Sequence, residues 1–350
     1  MSFSEYVLQN SFKTRRDSYN YPSHHRIFGA YEYRQGSQLN IDVVSLAKSV
    51  STVLTQGINI IRVSNTLFIA LSITLYYASI VAYTLRWRFV LEKACRKTTS
   101  LITLFLVNAS SIFVNNITPL NRAGGEPLRA LWLAAQQGVS KAKAFMTIVY
   151  ERYTELVPVA VILISALLAR TTLLRPYSWL LLIILLVVLT LLLITGYSNK
   201  LILPIISRFS GKKLVSRATL EDAWSTLQNL IKDKSLLMRA LALSSTVWLM
   251  ELLRLWLIGL SVGVSLSMYD LVYVDAIYIL SGLLALTPGG LGMAEGGLIL
   301  ALSTLGINIE KAVAIAIIER LISYGLATVT GGLATLVIGG KSVWKLLKLH

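Results

Sequence analysis

The chain carries little that could serve redox or metal chemistry. It has one cysteine, Cys95, so no disulfide can close within it. Its three histidines, His24, His25 and His350, all fall in the terminal tails. A metal centre needs clustered ligands, so neither a metal nor another cofactor is expected. A phosphate-loop lysine and an HExxH pair are also missing. Nucleotide-driven and zinc-dependent catalysis therefore lack the residues to perform them, and an enzyme is not expected. Acidic residues are few, 17 against 33 basic, for a net charge of +16. Short alternating segments of the kind that build a membrane β-barrel are absent too.

What remains is apolar. Hydrophobic residues make up 55% of the chain and charged residues 14%, richer in grease than ordinary globular domains. Runs such as Trp179 to Ile194 and Ala312 to Ile338 are long enough to enter or cross a bilayer. The expected fold is an all-α polytopic membrane protein. The positive charge gathers in the connections, as membrane orientation demands, so nucleic acid is not an expected partner.

Residues 1–42 read as a polar tail, and Val43 to Ser64 as an amphipathic stretch that either lies on the surface or inserts weakly. Spans follow at 66–86, 99–118, 142–169, 177–198, 236–260, 268–287 and 309–338, and residues 341–350 form a basic tail. Two shorter apolar elements, 122–138 and 289–305, lie between them. A 16-residue helix reaches only about 24 Å, short of a ~30 Å hydrocarbon core. These two are expected to be half-spanning or broken helices.

Both short elements open with similar words. Pro119-Leu-Asn-Arg-Ala-Gly-Gly-Glu126 returns 169 positions later as Pro288-Gly-Gly-Leu-Gly-Met-Ala-Glu295. Glu151-Arg152 returns as Glu319-Arg320, and Trp87 as Trp256. Two repeats are therefore expected within 43–340, one at about 66–170 and one at about 236–338, joined by span 177–198 and a loop at 199–235. That loop is strongly basic, as are the turn Arg86 to Lys97 and the C-terminal tail. All three lie on the cytoplasmic side only if each short element counts as a crossing, which makes the repeats inverted. If both are hairpins, the repeats are parallel. Within the loop, Leu220, Ala223, Trp224, Leu227, Leu230 and Ile231 recur at helical spacing behind a capping-box-like Thr219-x-x-Asp222. That helix either lies in the interface or packs on its own protein.

Glycine-broken segments at matching places in two halves point to a transporter's binding site. A helix that begins inside the membrane presents free N–H groups and partial positive charge, which suits an anion, and glycine lets a phosphate come close. Gly124, Gly125, Pro288, Gly289, Gly290 and Gly292 are placed for this. Arg122 and Arg129 add fork-shaped donors matched to phosphate oxygens. Ionisable groups in spans cost about 2.5–3.5 kcal/mol each on insertion scales, yet the chain keeps Glu126, Glu151, Arg152, Glu155, Glu251, Arg254, Asp275, Glu295, Glu319 and Arg320. Glu251 and Arg254, three apart, suggest a structural pair. Glu151 and Glu155 stack as like charges, so either a basic residue from another helix completes that site or one carboxyl is protonated.

These signatures resemble the flippase-like membrane domain of lysylphosphatidylglycerol synthases, the membrane half of multiple peptide resistance factor. The likeness rests on Pro119-x-x-Arg122-x-Gly-Gly-Glu126-Pro-x-Arg129, Gly138-Val-Ser, Glu151-Arg152, Pro288-Gly-Gly-Leu-Gly-Met-Ala-Glu295-Gly and Glu319-Arg320, over about residues 66–340. It implies a multi-pass cell-membrane protein that moves a phospholipid or a lipid-linked, phosphate-bearing head group between leaflets. The synthase chemistry of that family belongs to a separate soluble domain, so no lysyl-lipid synthesis is expected. Arg122 and Arg129 would hold the phosphate; Glu126, Glu151, Glu295 and Glu319 would orient arginines or exchange protons, beside Arg152, Glu155 and Arg320. The alternative is a non-transporting membrane subunit that anchors or presents lipid-linked sugar to a glycosyltransferase.

Overall fold

Thr66–Cys95, here α2, is an uninterrupted 30-residue helix, about 45 Å long at 1.5 Å per residue. It is one of three helices among the described residues that are long and apolar enough to cross a membrane, with Lys234–Ser261 and the Ile309–Gly339 run. The structure is a computed structural model, and it describes residues 43–95, 99–118, 124–169, 186 and 217–347. The chain forms two compact units, Met1–Leu46 and Ala47–His350. The first contributes only the opening turn of α1 (Val43–Arg62) to the described residues; all the others belong to the second.

Every regular element described is helical. After α2 come α3 (Leu101–Ile117), α4 (Gly125–Gln137) and α5 (Lys141–Ala169). The chain is next described at α6 (Arg217–Lys232), followed by α7 (Lys234–Ser261) and α8 (Met268–Leu283). A single 3-10 turn, Pro288–Gly290, leads to α9 (Met293–Thr304). Then α10 (Ile309–Arg320) passes through a π-helical stretch, Leu321–Leu326, into α11 (Ala327–Leu347), which is broken at Gly339. The expected starts of the spans are matched within about two residues where they are described, but α2 runs nine residues beyond the expected end at 86 and α11 nine beyond 338. Span 177–198 and most of the basic loop lie outside the described residues.

The two short elements are as short as their sequences suggest. With 13 residues in α4 and 12 in α9, each reaches about 20 Å, well under a bilayer core. Gly138 closes α4 in the left-handed region (φ 66°), the usual glycine stop. Positive φ at Gly289, Gly290 and Gly292 turns the chain into α9. An L-residue is strained at such angles.

Ser100 and Asp233 cap α3 and α7 by accepting from Thr103 N and Leu236 N. Asp233 also receives the Lys93 ammonium, and that hydrogen bond holds its carboxyl below the usual range. Thr219 is not an N-cap as expected, because the chain is already helical at Arg217. The apolar stripe of α6 is settled more clearly. Trp224, Leu227 and Leu230 are buried with Val90, Tyr150 and Leu236, so α6 packs on its own protein, against α2, α5 and α7.

The largest core joins α2, α5, α7, α8 and α10 through Ile80, Leu163, Ile258, Val274 and Ile318. Where helices approach most closely, glycine allows it. A Cβ on Gly331 of α11 would lie 2.3 Å from the Ala109 carbonyl oxygen and 2.7 Å from Phe113 Cβ on α3. A Cβ on Gly125 would lie 2.2 Å from the Ser111 carbonyl oxygen, again on α3. Small residues are how membrane helices come within backbone distance. Gly331→Ala is therefore expected to lower stability by about 1–3 kcal/mol, the usual scale of overpacking. Gly296→Ala, where a Cβ would meet nothing within 4 Å, is expected to leave stability unchanged or raise it; thermal unfolding in detergent compares the two.

Candidate functional site

Asn115 and Asn116, consecutive residues at the end of α3, each touch one of the glycine breaks. The Gly125 N–H donates to Asn115 Oδ1 at 2.7 Å, so one free donor at the start of α4 is already satisfied. Asn116 lies against the second break, its Cα 3.5 Å from where a Gly289 Cβ would sit. Its Nδ2 donates to Thr328 Oγ1 at 2.9 Å, and the Tyr324 hydroxyl donates to its carbonyl at 3.3 Å. Tyr324 belongs to the π-helical stretch, a distortion frequent at functional sites, and its ring closes over Gly289. The two breaks therefore meet at the end of α3.

Each break also carries an ion pair. Arg152 Nε donates to Glu126 Oε1 at 2.7 Å. Arg320 Nε lies 2.8 Å from Glu295 Oε1, and its other nitrogens reach the carbonyls of Gly289 (3.1 Å) and Gly290 (3.3 Å). Glu295 turns its second oxygen to the Gly292 N–H at 2.7 Å, capping α9 from within. These side chains are partly open: Arg152 and Glu126 are 31% and 24% exposed, Arg320 and Glu295 16% and 21%.

Behind the first pair the charges continue inward. Arg152 also bonds Glu155 and the Tyr83 hydroxyl (2.7 Å). Glu155 accepts from Arg86 Nη2 at 2.5 Å, Arg86 Nε lies 3.5 Å from Glu151, and Glu151 accepts from Arg129 at 2.5 Å. Three arginines and three glutamates thus alternate in one balanced chain. Its inner members Arg86, Glu151 and Arg129 are essentially unexposed. The Tyr83 ring lies beneath Arg86 (4.3 Å) and Trp87 beneath Arg129 (4.1 Å), while Arg86 also donates to Ser244 on α7 at 2.7 Å. Such burial is tolerable only because each charge has partners.

Behind the second pair, Arg254 Nη2 and Nε donate to Glu319 at 2.7 and 3.1 Å, both groups buried. Tyr278 bonds Glu319 at 3.4 Å. Arg254 therefore reaches across to α10, where helical spacing had suggested Glu251, which is a further nearby charge.

Of the expected residues, Glu126, Glu151, Arg152, Glu155 and Arg129 come together in the first network, and Glu295, Glu319 and Arg320 in the second, with Gly124, Gly125 and Pro288 to Gly292 at the breaks. Arg129 faces inward, its guanidinium taken up by Glu151 and Trp87. Arg122 lies outside the described residues. Sequence reasoning missed Arg86, Tyr83, Asn115, Asn116 and Tyr324. Arg86 had a signal: Arg86 and Arg254 are separated by 168 positions, as are Glu151 and Glu319. Arg86 is also the basic residue from another helix that the stacked carboxylates called for. No group of three or more metal-ligating side chains is found among the described residues.

Comparison with known proteins places the chain in a family. The sequence profile described as the lysylphosphatidylglycerol synthase TM region matches residues 44–331. A UPF0104 membrane protein of Methanothermobacter thermautotrophicus is 26% identical over 82% of this chain and 90% of its own length. Another from the same organism is 30% identical over 78% of this chain and 84% of its own. One from Methanocaldococcus jannaschii is 29% identical over 79% and 86%. The chain belongs to the lysylphosphatidylglycerol synthase TM-region family of membrane proteins.

Proposed function

We propose that this protein is a multi-pass, flippase-like transporter of the cell membrane that carries a phosphate-bearing lipid head group between leaflets. The observation that carries the reading is the meeting of the two glycine breaks at Asn115 and Asn116, each break lined by a partly open arginine. The family description names a synthase of a phosphate-bearing lipid, which fits the same chemistry.

In this reading Arg152 and Arg320 meet the phosphate, and Arg122, outside the described residues, stays a candidate from its sequence position alone. Among the described residues, Arg152 and Arg320 each already have a glutamate at their break. A head group must therefore displace Glu126 or Glu295. Displacing Glu295 also uncaps α9 and frees its first N–H groups for the anion. Site occupancy and helix capping are thus alternatives, which couples binding to a change at the break. Arg129, Glu151, Arg86 and Glu155 form the buried support that holds Arg152 in place.

The offset pairs favour two repeats, and the charge of the connections favours reading them as inverted. Glu126–Arg152 corresponds to Glu295–Arg320, and Arg86–Glu151 to Arg254–Glu319, at offsets of 168 or 169. Helix contacts follow the same exchange: α3 packs on α11 as α8 packs on α5, and α2 on α7. The basic loop and C-terminal tail would lie on the cytoplasmic side. The alternative, a subunit that presents lipid-linked sugar to a glycosyltransferase, would need a docking face; the α6 face around Trp224 is buried against the protein's own helices and does not supply one.

The test is reconstitution into liposomes with fluorescent lipids of phosphate-bearing and uncharged head groups. Wild type is expected to exchange the former. Arg320→Ala and Arg152→Ala are expected to slow exchange by about 10- to 100-fold, the loss of one charge-assisted hydrogen bond of about 1.5–3 kcal/mol. Equal exchange by wild type and both variants would sink the assignment.

A further inference from the structure

Asp275 takes no part in either ion network. It sits mid-helix on α8, 3% exposed, and its Oδ2 has no hydrogen-bond donor. The charged groups acting on it are Glu251 and Arg254 from α7 and Glu319 from α10, while α5 and α9, the other helices packed against α8, add none. Arg254 already gives two donors to Glu319. Arg254 is thus already engaged, whereas each glutamate of the Glu126–Arg129 side has its own arginine contact. A carboxylate buried without a partner is among the costliest arrangements in a protein interior, and it is relieved by neutralisation. A proton supplies that neutralisation.

We propose that Asp275 is a proton-binding site that couples proton movement to the transport cycle. The coupling rests on the transport reading; the proton site does not. In the arrangement seen here the Asp275 carboxyl carries the proton. When the α8–α10 contact opens to water, the O–H bond breaks, water takes the proton as hydronium, and the carboxylate turns to Arg254. Arg254 then loosens its hold on Glu319, whose chain neighbour Arg320 grips the Gly289 and Gly290 carbonyls. Loss of one proton is thereby transmitted to the second break. Reprotonation from the other side reverses each step, with no redox partner involved.

Infrared difference spectroscopy of the full chain in lipid nanodiscs tests the proton directly. Wild type minus Asp275→Asn at neutral pH is expected to show a protonated-carboxyl C=O band that shifts in D2O. Absence of the band overturns the proposal. If Asp275→Asn does not fold, Asp275→Glu serves instead, moving the band to a new frequency. In liposomes, wild-type exchange of phosphate-bearing lipid is expected to change rate when a proton gradient is imposed, and Asp275→Asn is expected to lose that response entirely. A variant that responds like wild type overturns the coupling. A band without lipid exchange by wild type, whatever the head group, sinks the transport reading and leaves the proton site standing.

Discussion

Arg86→Leu is expected to lower the stability of the folded protein by about 3–5 kcal/mol, the scale of breaking a buried pair from one side. The guanidinium is fully buried, and it separates two carboxylates, Glu151 at 3.5 Å and Glu155 at 2.5 Å, that stack four apart on α5. Without it, like charges face each other where water cannot screen them. Arg129 and Arg152 each keep one carboxylate, but neither reaches the gap. Ser244 on α7 also loses its donor, so the tie between the α5 site and α7 weakens as well. Equilibrium unfolding in detergent micelles measures the change. Adding Glu155→Gln, which removes one of the repelling charges, is expected to recover part of it. A loss below about 1 kcal/mol for Arg86→Leu would mean that the inner network is not what holds Arg152 in position.

The place of Arg86 between two carboxylates is not legible in the sequence, and the reason is physical. Periodicity marks where helices lie, because each must turn an apolar stripe inward; hence α2, α3, α5, α7, α8 and α10 begin close to their expected starts. The shortness of α4 and α9 was equally legible, since glycine and proline mark chain breaks directly. Partners across helices follow from packing instead. Spacing pointed from Arg254 to Glu251 on its own helix, which does act on it, but not to Glu319, 65 residues away in sequence. Arg129 looked like a phosphate donor because it follows the Gly124-Gly125 break, but its position on α4 turns it towards Trp87 and Glu151. Asn115 and Asn116 left no trace at all: two ordinary polar residues at a helix end became the junction of the site only because α3 ends between the two breaks. The recurrence at 168 positions was the one long-range signal available, and followed to Arg86 and Arg254 it names the inner arginine of each half.

Removing both partners of the second buried pair separates what that pair does for folding from what it does for transport. Arg254→Met alone leaves Glu319 ionised and buried with only the distant Tyr278 hydroxyl, at 3.4 Å, and is expected to cost about 3–5 kcal/mol. Glu319→Leu alone leaves Arg254 with the Tyr76 ring and the nearby Glu251 and is expected to cost less. The double variant is expected to return to within about 1 kcal/mol of wild type, because apolar side chains of similar volume commonly replace a buried ion pair without loss. The cycle formed by the four proteins gives the coupling energy of the pair. Lipid exchange is expected to diverge from stability. The double variant folds and keeps Arg320 and Glu295 at the second break, but it loses the buried pair behind them, so exchange of phosphate-bearing lipid is expected to fall well below wild type. If it exchanged lipid as wild type does, Arg254 and Glu319 would be a folding device alone, and the charge carried at the centre of the second repeat would have no part in the transport cycle.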